Sequence, residues 1–222
     1  MSADNIRFMK TDLIAYYKDR ALEYEKIYLK PERQDDLINA TTLLQNIFVD
    51  KTVFEIACGT GFWTEKIAQT AISVFATDIN QSVIEVAQQK DYAKNNVTLE
   101  LADIFNLSIN IKYESLFGGF IWSHIKLQDL NKFLNQINNL TVPGGTVVFM
   151  DNNFVEGSNT PITNTDENGN TFQTRKLDDG TMHLVLKNFP TESFLRTKLA
   201  DIATDFKFIN LKYYWVLTYK TR

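Results

Sequence analysis

Val53-Phe54-Glu55-Ile56-Ala57-Cys58-Gly59-Thr60-Gly61-Phe62-Trp63-Thr64 is the stretch whose reading decides the fold. An apolar run holding one acid breaks into Gly-Thr-Gly, the pattern of a buried strand that turns sharply into a helix. Glycine has no Cβ, so at Gly59 and Gly61 a positive φ costs little and a ligand can approach the backbone. Downstream, residues 64–70 predict a short helix, 72–77 a strand closed by Asp78, 81–90 a helix, and 97–101 a strand ending in Ala102-Asp103. Residues 116–122 predict a further strand, and Leu127, Leu130, Phe133, Leu134, Ile137 and Leu140 a helix. The Pro143-Gly144-Gly145 turn ends that helix and feeds a strand over 146–150. Strands alternating with helices make an α/β fold, with a parallel sheet covered on both faces and right-handed crossovers.

Upstream, Leu13, Ile14, Tyr17, Ala21, Tyr24 and Tyr28 recur at spacings of three and four, which predicts one amphipathic helix over 10–29. Pro31 ends it, and Leu37, Ala40, Thr41, Leu44, Ile47 and Phe48 form a second helix leading into the first strand. Beyond Asp151 the rhythm changes. Residues 152–170 are rich in Asn, Thr, Gly and acids and read as a long loop, of the kind that is functional or mobile in a compact domain. Residues 171–177 and 182–186, separated by Asp178-Asp179-Gly180, predict a β-hairpin. Thr191 is the expected N-cap of a helix running to residue 203, and 207–214 and 215–219 are β-rich. The expected organisation is a single domain over 1–222: a helical cap (1–48), a core (50–151), a loop-plus-hairpin insertion (152–188), and a C-terminal helix with a strand pair (190–222).

A net charge of −4, with no block of Lys and Arg, argues against a nucleic-acid substrate. No apolar stretch is long enough to span a bilayer, and no basic-then-apolar leader opens the chain, so neither membrane insertion nor secretion is expected. The lone Cys58 has no disulfide partner within the chain, which suits a reducing cytoplasm. The oligomeric state is not legible.

In an open parallel sheet, ligands bind beyond the carboxyl ends of the strands, where strand order reverses. Three features fall at successive strand ends: Gly59-Thr60-Gly61, Asp78 and Asp103. Asp78 follows Gly61 at nearly the spacing at which an acid receives two ribose hydroxyls. Asp103 is placed to accept from the adenine amine, with Ile79 and Ile104 flanking the ring; each acid also has the plain reading of a helix N-cap. A dinucleotide site needs a third glycine where this chain has Thr64. Glu55, inside the strand, disfavours pyrophosphate but suits an ammonium, directly or through water, unless it is paired with a lysine. Adenosine at one end and an α-amino acid at the other describe S-adenosylmethionine.

On these residues the chain resembles the class I S-adenosylmethionine-dependent methyltransferases of small-molecule type. Glu55-Ile56-Ala57-Cys58-Gly59-Thr60-Gly61 matches the family's first motif, Asp78-Ile79-Asn80 its acidic loop, Ala102-Asp103-Ile104 its third-strand loop, and Pro143-Gly144-Gly145 its turn before the fifth strand. The match is strong over about 50–151. The segment from Tyr16 to Glu25 resembles the N-terminal cap that closes over the cofactor. The resemblance implies a Rossmann-like, mostly parallel seven-stranded sheet with an antiparallel last strand, helices on both faces, and methyl transfer from S-adenosyl-L-methionine. The implied cofactor residues are Glu55, Ala57, Gly59, Thr60, Gly61, Trp63, Asp78, Ile79, Asp103, Ile104 and Trp122, although Trp63 and Trp122 also read as packing residues.

The expected acceptor is an oxygen, nitrogen or sulfur nucleophile of a small molecule. His124, just after the fourth strand, is the candidate general base because imidazole titrates near neutrality, with a hydrogen bond at a helix start as its plain reading. Tyr17, Arg20 and Tyr28 of the cap, with Asn152, are the candidate pocket-facing groups. The pair Asp151-Asn152 invites a magnesium site, but the fourth strand ends in Trp122-Ser123-His124 and not in a carboxylate, so no metal is expected. Two alternatives stand beside this reading: an RNA methyltransferase, and a non-catalytic S-adenosylmethionine-binding protein.

Overall fold

The structure, a computed structural model, describes residues 12–107 and 111–222. Strand β1 (Thr52–Ile56) sits at its centre, with Val53, Phe54, Glu55 and Ile56 all buried. A run buried on both faces is what a central parallel strand requires. It pairs in parallel with β2 (Ser73–Asp78) on one side and with β4 (Tyr113–Gly119) on the other. Strands β3 (Val97–Leu101), β5 (Thr141–Asn152), β9 (Ala203–Asn210) and β10 (Tyr214–Thr221) complete a seven-stranded sheet of order β3-β2-β1-β4-β5-β10-β9. Strand β10 runs opposite to the other six, pairing antiparallel with both β5 and β9. Strand order reverses between β1 and β4, so the crevice at their carboxyl ends is the fold's ligand position.

Each face of the sheet carries its own apolar layer. Helices α2 (Gln34–Phe48), α3 (Phe62–Ala68) and α4 (Gln81–Gln88) pack Leu44, Phe48, Ile67 and Ile84 against Val53, Val74, Met150 and Val216. On the opposite face, α5 (Leu130–Asn139) and α6 (Glu192–Leu199) pack Phe133, Ile137, Leu195 and Leu199 against Phe54, Ile56, Phe149 and Trp215. The Thr191 side chain accepts from Phe194 N–H, the N-cap read from the sequence. No helix among the described residues is long and apolar enough to cross a membrane.

Several expected elements take a different form. Residues 10 and 11 of the expected first helix lie outside the described residues. The remainder is α1 (Leu13–Asp19), capped by Asp12, followed by a 3-10 helix over Ala21–Leu29. Tyr28 stacks on Phe62 and Arg20 lies over the Tyr16 and Tyr24 rings, so tertiary contacts outweigh α-helical continuity here. The expected long loop contains a strand, β6 (Ile162–Thr165), which joins β7 (Thr171–Lys176) and β8 (Met182–Leu186) in an antiparallel sheet of three. All four β6 residues are exposed, so main-chain pairing forms this strand without an apolar signature. Strand β4 ends before Phe120, whose positive φ of 58° turns the chain, and Trp122–His124 become a 3-10 turn instead of strand. Strand β5 begins ahead of Pro143-Gly144-Gly145, which forms an irregularity in its pairing with β4.

Gly61 caps α3 in the left-handed region at φ 79°, and a Cβ there would stand 2.5 Å from Tyr92 Oη and 3.1 Å from Ala87 Cβ. Gly61→Ala is therefore expected to cost about 2 kcal/mol in chemical denaturation. In a Tyr92→Phe background the same change should cost less by at least about 0.5 kcal/mol, because the hydroxyl in its way is gone.

Candidate active site

The glycine loop leaves β1 through Ala57, a non-glycine residue at φ 52°, and Gly59 at φ 56°. Backbone held in this region by a side-chain-bearing residue costs energy and is characteristic of ligand clamps. The loop is held by Asp78 at the end of β2. Its Oδ2 accepts the Gly59 N–H at 2.9 Å and its Oδ1 accepts the Asn80 N–H at 2.9 Å. Burial pushes the Asp78 carboxyl up, and these amides draw it back. Asn80 in turn donates from its side chain to the Ile14 carbonyl at 3.0 Å, which latches α1 over the strand ends.

Between these pieces lies a cavity of about 120 Å³. Ala57, Gly59, Asp78 and Ile79 line it below, Leu13, Ile14 and Tyr17 cover it, and Gly119, Phe120 and Ile121 close its side. Glu55 lies off the wall, 2% exposed, and its Oε2 has no hydrogen-bond partner among the described residues. Burial pushes its carboxyl up to about 8, the Thr64 side chain opposing and the Asp78 charge reinforcing the shift. Among the described residues no lysine pairs with it. An orphaned carboxyl oxygen in the strand that carries the loop, beside an acid that keeps lone pairs free, suits a ligand with an ammonium at one end and ribose hydroxyls at the other.

A second cavity of about 340 Å³ adjoins the first. The cap, residues 158–160 and the β7–β8 hairpin enclose it, and Tyr17, Tyr24, Phe120 and His124 line both cavities. His124 Nδ1 lies 2.6 Å from the Leu186 carbonyl, which can only accept, so the ring's proton sits on Nδ1. Its Nε2 then accepts from the Tyr17 hydroxyl at 2.6 Å. Burial holds His124 well below its ordinary value, with the Lys187 ammonium adding to the effect, so the ring is neutral at pH 7. Burial likewise raises the Tyr17 phenol, which stays protonated.

Beneath this wall, Lys187 Nζ donates to Asp151 Oδ1 at 2.8 Å and to Ser123 Oγ at 2.6 Å. Asp151 Oδ2 accepts the Ser123 N–H at 2.9 Å. Asp151 is thus committed to a buried ion pair. Arg33, 5% exposed, donates to Asn152, Ser158 and Asn159 and holds the 152–160 segment against the cap.

The structure brings Ala57, Gly59, Asp78, Ile79, Tyr17 and His124 to the first cavity, and Arg20, Tyr28 and Asn152 to the second. Other nominated residues lie off both walls. The Thr60 hydroxyl donates to Glu25 Oε1 at 2.7 Å, Gly61 faces Tyr92, and Trp63 Nε1 donates to Tyr28 Oη at 3.1 Å. Trp122 is core, edge-on to Phe149 and Trp215, because the chain turns at Phe120 and carries it away from the strand end. Asp103 closes its own turn by accepting the Phe105 N–H, and Ile104 packs on the core of that face. Asn80 was read only as part of the acidic-loop motif, and Phe120, Arg33, Gln173, Arg175 and Lys187 were missing from the sequence reading. Only Gln173 and Arg175 carried a signal, an i, i+2 polar pair on one face of a hairpin strand.

Against known proteins, residues 53–145 match the family described as methyltransferase domain. These residues carry the sequence pattern of a methyltransferase domain. An uncharacterized methyltransferase of Anoxybacillus flavithermus is 22% identical over 152 residues, 66% of this chain and 70% of that protein. A malonyl-[acyl-carrier protein] O-methyltransferase of Buchnera aphidicola is 29% identical over 111 residues, 46% of this chain but 40% of the relative. Among solved structures, the DhpI-SAH complex aligns with a TM-score of 0.78 at 22% identity, covering 94% of this chain and 95% of that one. The fold is therefore Rossmann-like, a mostly parallel seven-stranded sheet with β10 antiparallel.

Because Glu55 is raised when folded, its contribution to stability is full below its unfolded value near 4.5 and is lost as pH rises through about 8. Denaturation across pH 5 to 9 should show stability falling by up to about 1.4 kcal/mol per pH unit from this group, and Glu55→Gln should flatten that slope.

Proposed function

We propose that this enzyme transfers the methyl group of S-adenosylmethionine to a nucleophilic atom, O, N or S, of a small molecule. The observation that carries the reading is the pair of cavities at the strand ends with a common wall of Tyr17, Tyr24, Phe120 and His124. A donor in one and an acceptor in the other face each other across the site, and holding them there supplies most of the acceleration. The second cavity, roofed by the cap and the β7–β8 hairpin, suits a small acceptor better than RNA. The name of the Buchnera relative favours oxygen as the nucleophile.

When bound, S-adenosylmethionine supplies an electrophilic methyl on a cationic sulfur. The chain's own residues do the rest. Asp78 receives the ribose hydroxyls with the lone pairs its two amide bonds leave free, and Glu55 takes the ammonium, directly or through water. Gly59 lets the ligand lie against the loop backbone. Leu13, Ile14 and Tyr17, held by the Asn80 latch, exclude water from the reacting atoms. His124 does not face the acceptor as a free base, because both its nitrogens are engaged; it acts by fixing the Tyr17 hydroxyl at the common wall. Cap, core, insertion and C-terminal pair work as one domain in this reading, in the reducing cytoplasm that the lone Cys58 suits.

Incubating the protein with a metabolite extract and S-adenosylmethionine carrying a labelled methyl tests the function: a small product gaining the label is expected, and label only in RNA, or nowhere, contradicts it. Asp78→Ala should weaken cofactor binding at least about tenfold, the loss expected for charge-assisted hydrogen bonds. His124→Ala should instead lower kcat about tenfold or more with cofactor affinity within threefold, as measured by calorimetry beside steady-state rates.

A further inference from the structure

The second cavity is lined by six cationic side chains, Arg20, Lys30, Arg33, Arg175, Lys176 and Lys187, and by one acid, Glu23, in a chain whose net charge is −4. That concentration is local: Lys187 is paired with Asp151, but among the described residues Arg20 and Arg175 have no carboxylate counter-ion. Arg20 Nη1 donates to Tyr16 Oη at 2.9 Å, and Arg175 Nη1 donates to the same oxygen at 3.3 Å. Arg175 also donates through Nε and Nη2 to Gln173 Oε1, a neutral acceptor. Neither arginine forms an ion pair with a carboxylate among the described residues. Glu23 is turned to the Asp178 N–H and to Lys26. Two guanidinium groups converging on one phenol oxygen repel each other, and an anion seated between them relieves that repulsion.

Each guanidinium has five N–H donors, and these bonds leave donors free on both. Arginine forks match oxyanions in geometry as well as charge. Arg33, whose hydrogen bonds go to neutral acceptors, adds positive charge to the same cavity, while the Lys187 charge is balanced by Asp151.

We propose that the acceptor is a small oxyanion, a phosphoryl or carboxylate group, gripped by Arg20 and Arg175 and presented to the common wall. The inference rests on the methyl-transfer reading of the same site and names its substrate class. Transfer to such an oxygen forms one O–C bond while the S–C bond breaks with its electron pair left on sulfur. The negative and positive charges disappear together and no proton is released. That balance needs no general base, in agreement with a His124 whose two nitrogens are already engaged.

Calorimetry on the full chain loaded with S-adenosylhomocysteine tests the proposal without turnover. The probes are inorganic phosphate and methylphosphonate in one arm, acetate in the other, and ethanolamine as the cationic control. Saturable binding of at least one anion is expected, weakening as salt rises, with the tighter arm identifying phosphoryl or carboxylate. Arg20→Gln and Arg175→Gln should each weaken it tenfold or more, Arg175→Lys should retain part of it, and S-adenosylhomocysteine affinity should stay within threefold in every variant. S-adenosylhomocysteine binding with no anion binding, anion affinity unchanged by Arg175→Gln, or binding of ethanolamine alone overturns the proposal while leaving the methyltransferase reading in place. Failure to bind S-adenosylhomocysteine overturns both.

Discussion

The Asp78 carboxylate is the fixed point of the site. By accepting the Gly59 and Asn80 amides it joins the loop after β1 to the loop after β2, and through the Asn80 side chain that junction extends to the cap. Two backbone segments with unusual φ angles, at Ala57 and Gly59, are thereby held in one arrangement. Without an acceptor for those amides the loop would expose unsatisfied donors at a buried strand end, a cost comparable to a lost hydrogen bond for each. In the function proposed above the same oxygens also receive the ligand, so that one group would set both loop conformation and ligand position.

A second junction organises the acceptor side. Lys187, just after β8, reaches Asp151 in β5 and Ser123 after β4 in one buried triad, which seats the three-stranded insertion on the main sheet. Taking both charges out of water costs much of what their attraction returns, so the triad is better understood as fixing position than as adding stability. Burial lowers Lys187, while on Asp151 the upward push of burial, the largest single effect, is outweighed by the Lys187 charge acting together with His124 and the hydrogen bonds from Lys187 and Ser123. Directly above the triad, His124 bridges Leu186 and Tyr17 and so ties insertion to cap. The two cavities share a wall because these ties meet there.

The fold was largely legible because its signals are local. Glu55 through Gly61, Asp78 and the Pro143-Gly144-Gly145 turn each mark a strand end in a few residues, and the seven-stranded order follows the resemblance they carry. Strand β6 was invisible since every one of its side chains is exposed, and the helix break at Arg20 was invisible since stacking on Tyr16 and Tyr24 causes it. Of the expected cofactor residues, Ala57, Gly59, Asp78 and Ile79 line the first cavity. Trp122 was misplaced because the positive φ at Phe120, which redirects the chain, has no signature in a phenylalanine. Arg33, Arg175 and Lys187 come together from a 3-10 turn, a hairpin strand and a following loop, and no spacing rule links positions so far apart.

The central claim is that the first cavity is built for an adenosyl amino acid and not for a dinucleotide, since Glu55 occupies the strand and a third glycine is missing from the loop. Calorimetric titration of the purified chain with S-adenosylmethionine and, separately, with NAD decides it. Saturable one-to-one binding of S-adenosylmethionine with no heat from NAD is the predicted result; binding of NAD without S-adenosylmethionine would contradict the account.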